Sequence, residues 1–564
     1  MSAPTISTAE WNAIVESGDP TAISEAAAAL ADAQEADDLE FAFTVCDYLW
    51  NPIGNPGTDL MEASGTDPRN DVGSARLQLK GDSVLVESLM NCRNTMVGVT
   101  CEVAGLRYAY YVDTHSYEYK DAAWTSTSEC RSIYDVLNFM IIFPMWWMPI
   151  AAQIFSHAVF IGPIVTVIET MISQCAMRIQ SGWGDFINAV TSLNPDFRVW
   201  SQAMMASNGN WQQMIKTPVY VVRTNPFLDT SPQVAKTVRM QSCGQAIKDI
   251  TGPYGVDIDM SLWRPGDDQP DEYANLDQPT YVVRVKDRSQ IEGPTKTVLD
   301  SAIRTVVDLE GSLLGNALDP LLNPRGDYHP PGVFTAPALG VNYVQPWAIL
   351  EAPDSGQDGA IIKCTITDHT PKGWRHILGG KSPKWLTDAI NATMSWLIDS
   401  ASILLGFTGI PSNLMDGFLA DSFLAFQLLD NYERRASVGP YHPAMEVFTP
   451  TEGTYDVESL FSYINALWES RGHTSGTVVF RNGHPLKLGR DVFRGSLMSL
   501  VYQRRTKMLT NYVENIMWRI TKSVREITVQ IGDNKASEPP LAKHQRWITG
   551  LQESFNVATL APRK

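Results

Sequence analysis

Apolar and polar residues alternate most clearly in Arg76–Lys80, within the run ARLQLK. This predicts a half-buried strand, and Gly81-Asp82 marks the turn that ends it. Met96–Val103 is rich in Val, Thr and Met, and Leu106–Val112 carries three tyrosines. Both predict strands, joined tightly at Gly105 and extended by Tyr117–Thr125. Together they form a small antiparallel unit with arginines, Arg93 and Arg107, on one face. Upstream, Ser7–Ala36 predicts two helices broken at Gly18-Asp19-Pro20, followed by a strand over Leu39–Val45. Asn51–Asp71 holds Pro and Gly with little periodicity and predicts a long exposed loop.

The pattern then changes character. From Val136 to Ile168 the chain has 33 residues and no Asp, Glu, Lys or Arg. Such a run is long enough to cross a bilayer of about 30 Å. Pro144, Pro149 and Pro163 would break a spanning helix, and Gln153, Ser156 and His157 sit near its middle. Buried core or a surface between subunits is the preferred reading, with membrane contact after a conformational change as the alternative. Two similar openings follow, PVYVVR at Pro218–Arg223 and PTYVVR at Pro279–Arg284. Each predicts a strand that leads through a loop into a helix, Thr237–Thr251 and Lys296–Leu314, with a further strand at Gly255–Met260. The repetition suggests a duplication or two related layers, although so short a match also arises by coincidence.

Asn323–Pro337 reads as a linker, Ala348–Thr367 as two strands and Pro371–Ser382 as a loop. Trp385–Asn431 is an apolar helical region bent at Gly406, Gly409 and Pro411; a core or oligomer seam is preferred over a membrane-inserting loop. Val457–Glu469 predicts an amphipathic helix. Gly476–Arg481 and Pro485–Leu488 form a hairpin about Asn482-Gly483. Leu497–Gln503, Met508–Val513, Ile516–Ile520 and Val524–Ile531 predict strands that curl into a small barrel.

Composition narrows the class. At 564 residues the chain is too long for one core. Hydrophobic residues make up 44% and charged residues 19%, so a globular protein is expected rather than a disordered one. The net charge of −18 is uneven: residues 487–564 carry 14 basic against 6 acidic side chains, and the rest 30 against 56. A basic end can bind nucleic acid, but docking on an acidic partner or a neighbouring copy is preferred. Seven scattered cysteines without a CxxC give neither a disulfide framework nor a zinc site, and read as buried thiols of a protein folded in a reducing cytoplasm. MSAPTISTAEW has no basic or apolar leader region, so no signal peptide is expected.

Chemistry is sought and not found. There is no HExxH, and the nine histidines lack metal-ligand spacing. His369 and His376 are separated by Pro371 and Gly373, which deny them a shared helix face. GHTSG at Gly472–Gly476 places its serine one position late for a nucleophile elbow. Gly380-Lys381-Ser382 lacks the first glycine of a phosphate-binding loop, because residue 375 is Arg. Neighbouring carboxylates such as Asp257 and Asp259, or Asp267 and Asp268, give no evidence of a shared cleft. A dyad of Cys130 or Cys243 with a distant histidine has no local support, and Arg325-Gly326-Asp327 is explained by chance. No catalytic residue, cofactor site or metal site is assigned.

Three stretches carry a resemblance. The order of the strand at Arg76–Lys80, Gly81-Asp82, Cys92-Arg93, a strand and Gly105-Leu106-Arg107-Tyr108 resembles the opening of hub-type minor tail proteins of actinobacterial long-tailed phages. Phe143-Pro144, Trp146-Trp147, Pro149, Gln153, Gly162-Pro163 and Arg178 resemble the Pro- and aromatic-rich block of that family, here longer and more apolar. RNGHPLKLGRDVFRGSLMSLVY, from Arg481 to Tyr502, resembles the family's barrel opening. The resemblance spans Ala75–Gly532.

It implies a multidomain α+β fold of antiparallel β-barrel-like tail-hub modules with inserted apolar helical segments. The expected division is N-terminal helices at 1–38, a β-rich hub unit at 39–130, an apolar aromatic insertion at 131–215 and an α+β repeat-like domain at 216–322. A linker with strands follows at 323–384, an apolar helical domain at 385–472, a β-barrel-like unit at 473–532 and a tail at 533–564. The implied function is structural: a homo-oligomer, expected as a trimer, at the tail tip of the virion, assembled in the host cytoplasm. Distal tail, tape-measure and fibre or spike proteins are the implied neighbours, and DNA passes without specific binding. Phe143, Trp146, Trp147, Phe160, Phe407, Ile410, Leu414, Met415 and Phe418 are expected at the oligomer interface or near a transiently contacted host membrane. A tail-associated cell-wall hydrolase or peptidase is the alternative, and a membrane-anchored assembly protein a third reading.

Overall fold

Asp19 and Pro20 start the second helix of the chain: the Thr21 amide donates to Asp19 Oδ1 at 3.0 Å, and Pro20 occupies the first turn, where no amide is needed. Two helices thus form where expected, α1 (Thr8–Glu16) and α2 (Pro20–Asp32). Val15 and Ile23 on them pack against Ile349 and Val501 from far along the chain. The computed structural model describes residues 8–32; 41–180 except 104–105, 149 and 151–152; 219–326 except 252–253, 290 and 308–319; 335–381 except 344–347, 358 and 360; 426–453; and 470–532 except 471, 481–485, 487, 490 and 522–524; with 550, 551 and 554.

After the helices come β1 (Ala42–Cys46), β2 (Pro52–Gly54), β3 (Leu60–Pro68), β4 (Ser74–Lys80), the short α3 (Val86–Met90), β5 (Gly98–Val103), β6 (Leu106–Lys120) and β7 (Ala123–Ser132). The middle of the chain gives α4 (Val136–Phe139), β8 (Ala158–Pro163), α5 (Ile164–Gln180), β9 (Val219–Val221), β10 (Gln233–Val238) and α6 (Cys243–Thr251). It continues with β11 (Val256–Trp263), β12 (Thr280–Asp287), β13 (Ile291–Glu292) and α7 (Val298–Val307). The last part holds β14 (Asn342–Tyr343), β15 (Ala348–Glu351), β16 (Ile361–His369), β17 (Arg375–Lys381), β18 (Phe426–Asp430), α8 (Tyr432–Val438) and β19 (Glu446–Gly453). It closes with β20 (His473–Phe480), β21 (Leu497–Tyr502), β22 (Lys507–Thr521) and β23 (Arg525–Ile531). The fold is mixed, of sheets and helices, as the α+β reading required.

Among the described residues the main sheet has 13 strands, in the order β16-β20-β23-β22-β3-β4-β7-β6-β5-β1-β2, with β21 and β15 branching from β22. In β4 the alternation seen in the sequence is realised: Ala75, Leu77 and Leu79 point into the core. That core joins distant segments, for example Leu77, Val99 and Phe43 with Phe480, Leu500, Trp518 and Val529.

Three expectations are corrected here. The segment 51–71 is not a loop, because β3 is hydrogen-bonded to β4 on one side and β22 on the other. Sheet partners override its weak local preference for strand. Pro371–Ser382 likewise contains β17, held between β18 and β19. The C-terminal strands do not curl into a barrel of their own: β22 pairs with β3, and the sheet path ends at β16 and β2 without closing among the described residues. Met508–Val513 and Ile516–Ile520 are one strand, β22, whose pairing with β23 shifts register between Val513 and Asn515.

The two similar openings, PVYVVR and PTYVVR, become adjacent parallel strands, β9 and β12, with Tyr281 opposite Val219. Antiparallel β11 completes a three-stranded sheet, and α5 packs on β9 and β12. Ile168, Met171 and Ile172 of α5 meet Ile247 of α6 and Val283 and Val285 of β12 in a second core. The predicted bend in Trp385–Asn431 and the helix Val457–Glu469 lie outside the described residues, apart from β18.

Candidate assembly surface and charged junction

The charge-free run Val136–Ile168 is neither one helix nor a featureless core segment. After one turn of α4 it continues irregularly to β8, and its backbone finds partners locally. The Ile142 amide donates to Gln241 O at 2.9 Å, and the Cys243 amide to Met140 O at 2.7 Å. Gln153 knits the turn at Met145 and Met148. Its Nε2 donates to Met145 O and Met148 O at 2.9 and 2.8 Å, and its Oε1 accepts from the Met145 amide at 2.8 Å. A polar residue inside a greasy run thus satisfies the backbone groups of Met145 and Met148.

The run is two-sided. Leu137, Met140, Ile142, Phe160, Ile164 and Ile168 are buried in the second core. Phe139, Trp147, Ile150, Ile154, Phe155, Val159 and Ile161 face outward, with Trp147 and Ile154 each 62% exposed. Single exposed apolar side chains are ordinary on a folded protein, whereas here seven fall within 23 residues. No helix among the described residues is long and apolar enough to cross a membrane.

The expected interface residues fall in different places. Trp147 is exposed and packs edge-on to the half-buried Trp146, with ring centroids 5.8 Å apart. Phe143 is half-buried beneath Arg178, whose guanidinium lies 4.0 Å from the ring centre. Phe160 points inward and is only 6% exposed. Phe407, Ile410, Leu414, Met415 and Phe418 lie outside the described residues. Sequence reasoning missed Ile150, Ile154, Phe155, Val159 and Ile161 as surface. The strand period in Ala158–Ile161 was the available signal, since it sends Val159 and Ile161 to one face and Phe160 to the other.

A second feature carried no signal in the sequence. A cavity of about 890 Å³ lies between the main sheet and the β11–β12 sheet. Arg494 spans its wall. Its Nε donates to Asp257 Oδ1 at 2.9 Å, its Nη2 to Ile258 O at 2.7 Å, and its Nη1 to Asp67 Oδ1. Asp257 is 1% exposed and also accepts from Arg288 Nε at 3.2 Å. Burial pushes the Asp67 carboxyl up to about 6, with Arg494 opposing the shift and Asp257 and Asp259 adding to it. Asn70 takes the place of a strand neighbour: its Nδ2 donates to Val256 O at 2.7 Å and its Oδ1 accepts from the Ile258 amide at 2.9 Å. On the far side Arg107 donates to Glu102 and Asp267, each at 2.6 Å.

These pairs clamp two sheets together, and Asp67, Asp257, Glu102 and Asp267 are each engaged by an arginine. Among the described residues no group of three His, Cys, Asp or Glu side chains converges to hold a metal. His369 and His473, opposite each other on β16 and β20, stack with ring centres 4.3 Å apart.

The model of one protein family, the Siphovirus ReqiPepy6 Gp37-like proteins, matches residues 53–533, from β2 through β23. The chain belongs to this family. The matched span covers most of the Gp37-like chain described above, including all of the second core and most of the first. Among solved structures it is similar to the tail protein from Neisseria meningitidis MC58, at 7% identity and a TM-score of 0.39, covering 89% of this chain and 99% of that one. It is similar to the 43 kDa tail protein of prophage MuSo2 from Shewanella oneidensis, at 8% identity and 0.37, covering 89% and 99%. A chain of the p2 virion baseplate in its activated conformation gives 9% identity and 0.33, covering 88% and 100%. No curated protein matches the chain.

Proposed function

We propose that this Gp37-like chain is a structural protein of the tail of a long-tailed phage, and that it forms the hub or tip of that tail. Family membership supports the phage setting, and the exposed apolar surface of Phe139–Ile161 supports the assembly role. That surface is the observation that carries the reading. Seven large exposed apolar side chains within 23 residues are costly on an isolated molecule and are covered when subunits meet. In this reading copies of the chain, expected to be three, join into a collar on the tail axis. Distal tail, tape-measure and fibre or spike proteins pack around it. The acidic body of the chain repels the phosphates of passing DNA, so the genome moves through without specific binding. Release of the apolar surface at the opened tip would allow a transient contact with the host membrane. The role involves no turnover of substrate.

The position and symmetry of this chain in an imaged particle test the proposal. Density for it in a ring at the tail tip is the expected result. A location in the capsid, or a monomer that clears host cell wall in a turbidity assay, overturns it.

A further inference from the structure

The hairpin of β6 and β7 projects beyond the main sheet. Pairing between β4 and β7 ends at Lys80 opposite Thr125, whereas β6 and β7 continue together to Lys120 opposite Ala123. Asp121 and Ala122, both at positive φ (51° and 61°), make the two-residue turn. On this projection the register sets Tyr119 opposite Trp124 and Tyr117 opposite Ser126, so the three rings share one face. Tyr117 and Trp124 stack with centroids 4.5 Å apart and planes 7° apart, and Tyr119 tilts against Trp124 at 5.2 Å. Tyr119 is 59% exposed and Trp124 48%.

The rings are held in place before any ligand arrives. Tyr117 Oη donates to Gly81 O at 2.9 Å, and the Gly81 amide donates to Trp124 O at 2.9 Å. Gly81 is required for this seat, since an added Cβ would lie 2.3 Å from Trp124 Cβ. Little side-chain entropy remains to be lost on binding.

The chemistry of the platform selects its ligand. Tyr117, Tyr119 and Trp124 are the exposed large apolar residues of this projection, with no aliphatic side chain among them. Of the charged residues of the hairpin, Asp121 lies in the exposed turn, Glu118 and Lys120 alternate to the opposite face of β6, and Asp113 pairs with Arg131. The Phe139–Ile161 surface is different, with Ile, Val and Phe for dry contact. A lipid surface takes aliphatic side chains and repels carboxylates when it is anionic, and nucleic acid phosphates are repelled by the same carboxylates. A pyranose ring offers what fits: a flat face of C–H bonds for an aromatic ring, rimmed by hydroxyls that hydrogen-bond to the phenol of the exposed Tyr119.

We infer that the tip of this hairpin is a carbohydrate-binding platform, with Tyr119 and Trp124 stacking on sugar rings of an oligosaccharide. The inference stands on the hairpin geometry and is independent of the tail-tip reading. Saturation-transfer difference NMR on the full chain, with N-acetylchitotetraose, cellotetraose and maltotetraose as probes, tests it. At least one probe should show saturable transfer to its ring C–H protons. Trp124→Ala and Tyr119→Ala should each weaken that binding by about tenfold or more while leaving the thermal unfolding midpoint near that of the wild type. No transfer to any of the three probes, or binding unchanged in both variants, overturns the inference. So does an oligomer that dissociates in the two variants, since the face would then be covered by protein.

Discussion

Arg494 holds Asp67 and the buried Asp257 at once, so its removal strands Asp67 and leaves Asp257 to Arg288 alone at the junction of two sheets. Arg494→Met should cost about 3–5 kcal/mol, read as a lower midpoint in chemical denaturation. Arg494→Lys keeps the charge but not the three-way fork, and should fall between. Asp67 gives the junction a pH signature. Its folded pKa of about 6 lies above the ordinary 3.8, so the folded state binds its proton more tightly than the unfolded chain. The stabilisation from protonated Asp67 is therefore full below about pH 4 and lost as pH rises through 6. Relative to Asp67→Asn, the wild type should lose up to about 3 kcal/mol between pH 4 and pH 7, measured by denaturation at fixed temperature across that range. A flat difference would show that Asp67 does not titrate there. None of this was legible beforehand. Asp67, Asp257 and Arg494 are ordinary charges in an acidic chain, and only folding puts them in contact.

Elements with strong local patterns, such as the α1–α2 pair, β4, β11, β12, β20 and β21, formed close to where periodicity put them. Those that depend on neighbours did not. Strand β3, LMEASGTDP, has poor strand formers, yet it connects the N-terminal and C-terminal parts of the main sheet. Its Gly65 lies opposite Trp518 in the β3–β22 register, and an added Cβ would sit 2.2 Å from the indole ring. Trp518 in turn packs against Phe41, Phe43 and Tyr110. Gly65→Ala should therefore cost about 1–3 kcal/mol by overpacking, read in the denaturation midpoint, although alanine is the better residue in an unconstrained strand. A neutral or stabilising effect would show that the Trp518 ring has room to move.

Part of the charge asymmetry is met within the molecule. The basic C-terminal strands meet the acidic remainder within the same chain: Arg505 with Glu351, Arg519 with Glu62, and Arg494 with Asp67 and Asp257. Docking of a basic end on an acidic partner, as charge patterning suggested, is at least partly satisfied internally. Because β3 and β22 share one sheet and one core, their amides should exchange with solvent in a single cooperative opening, measured by hydrogen exchange at increasing denaturant. Exchange of β22 well before β3 would split that unit. The apolar surface is tested at the same scale. Trp147→Ser with Ile154→Asp should lower the oligomer mass in light scattering while leaving the thermal midpoint of the released subunit unchanged or higher, because both side chains are outward-facing. Unchanged mass would remove this surface from the seam.

Features that depend on near neighbours could be read from the chain alone. The period of two in Arg76–Lys80, the break at Gly18-Asp19-Pro20 and the absence of charge from Val136 to Ile168 each follow from local sterics or from the cost of burying charge. The pairing of β3 with β22, the side of the apolar run that stays outside and the clamp at Arg494 were decided by the tertiary structure. Each joins residues far apart in sequence, and the free energy of such a contact exists only once the intervening chain has closed the loop between them.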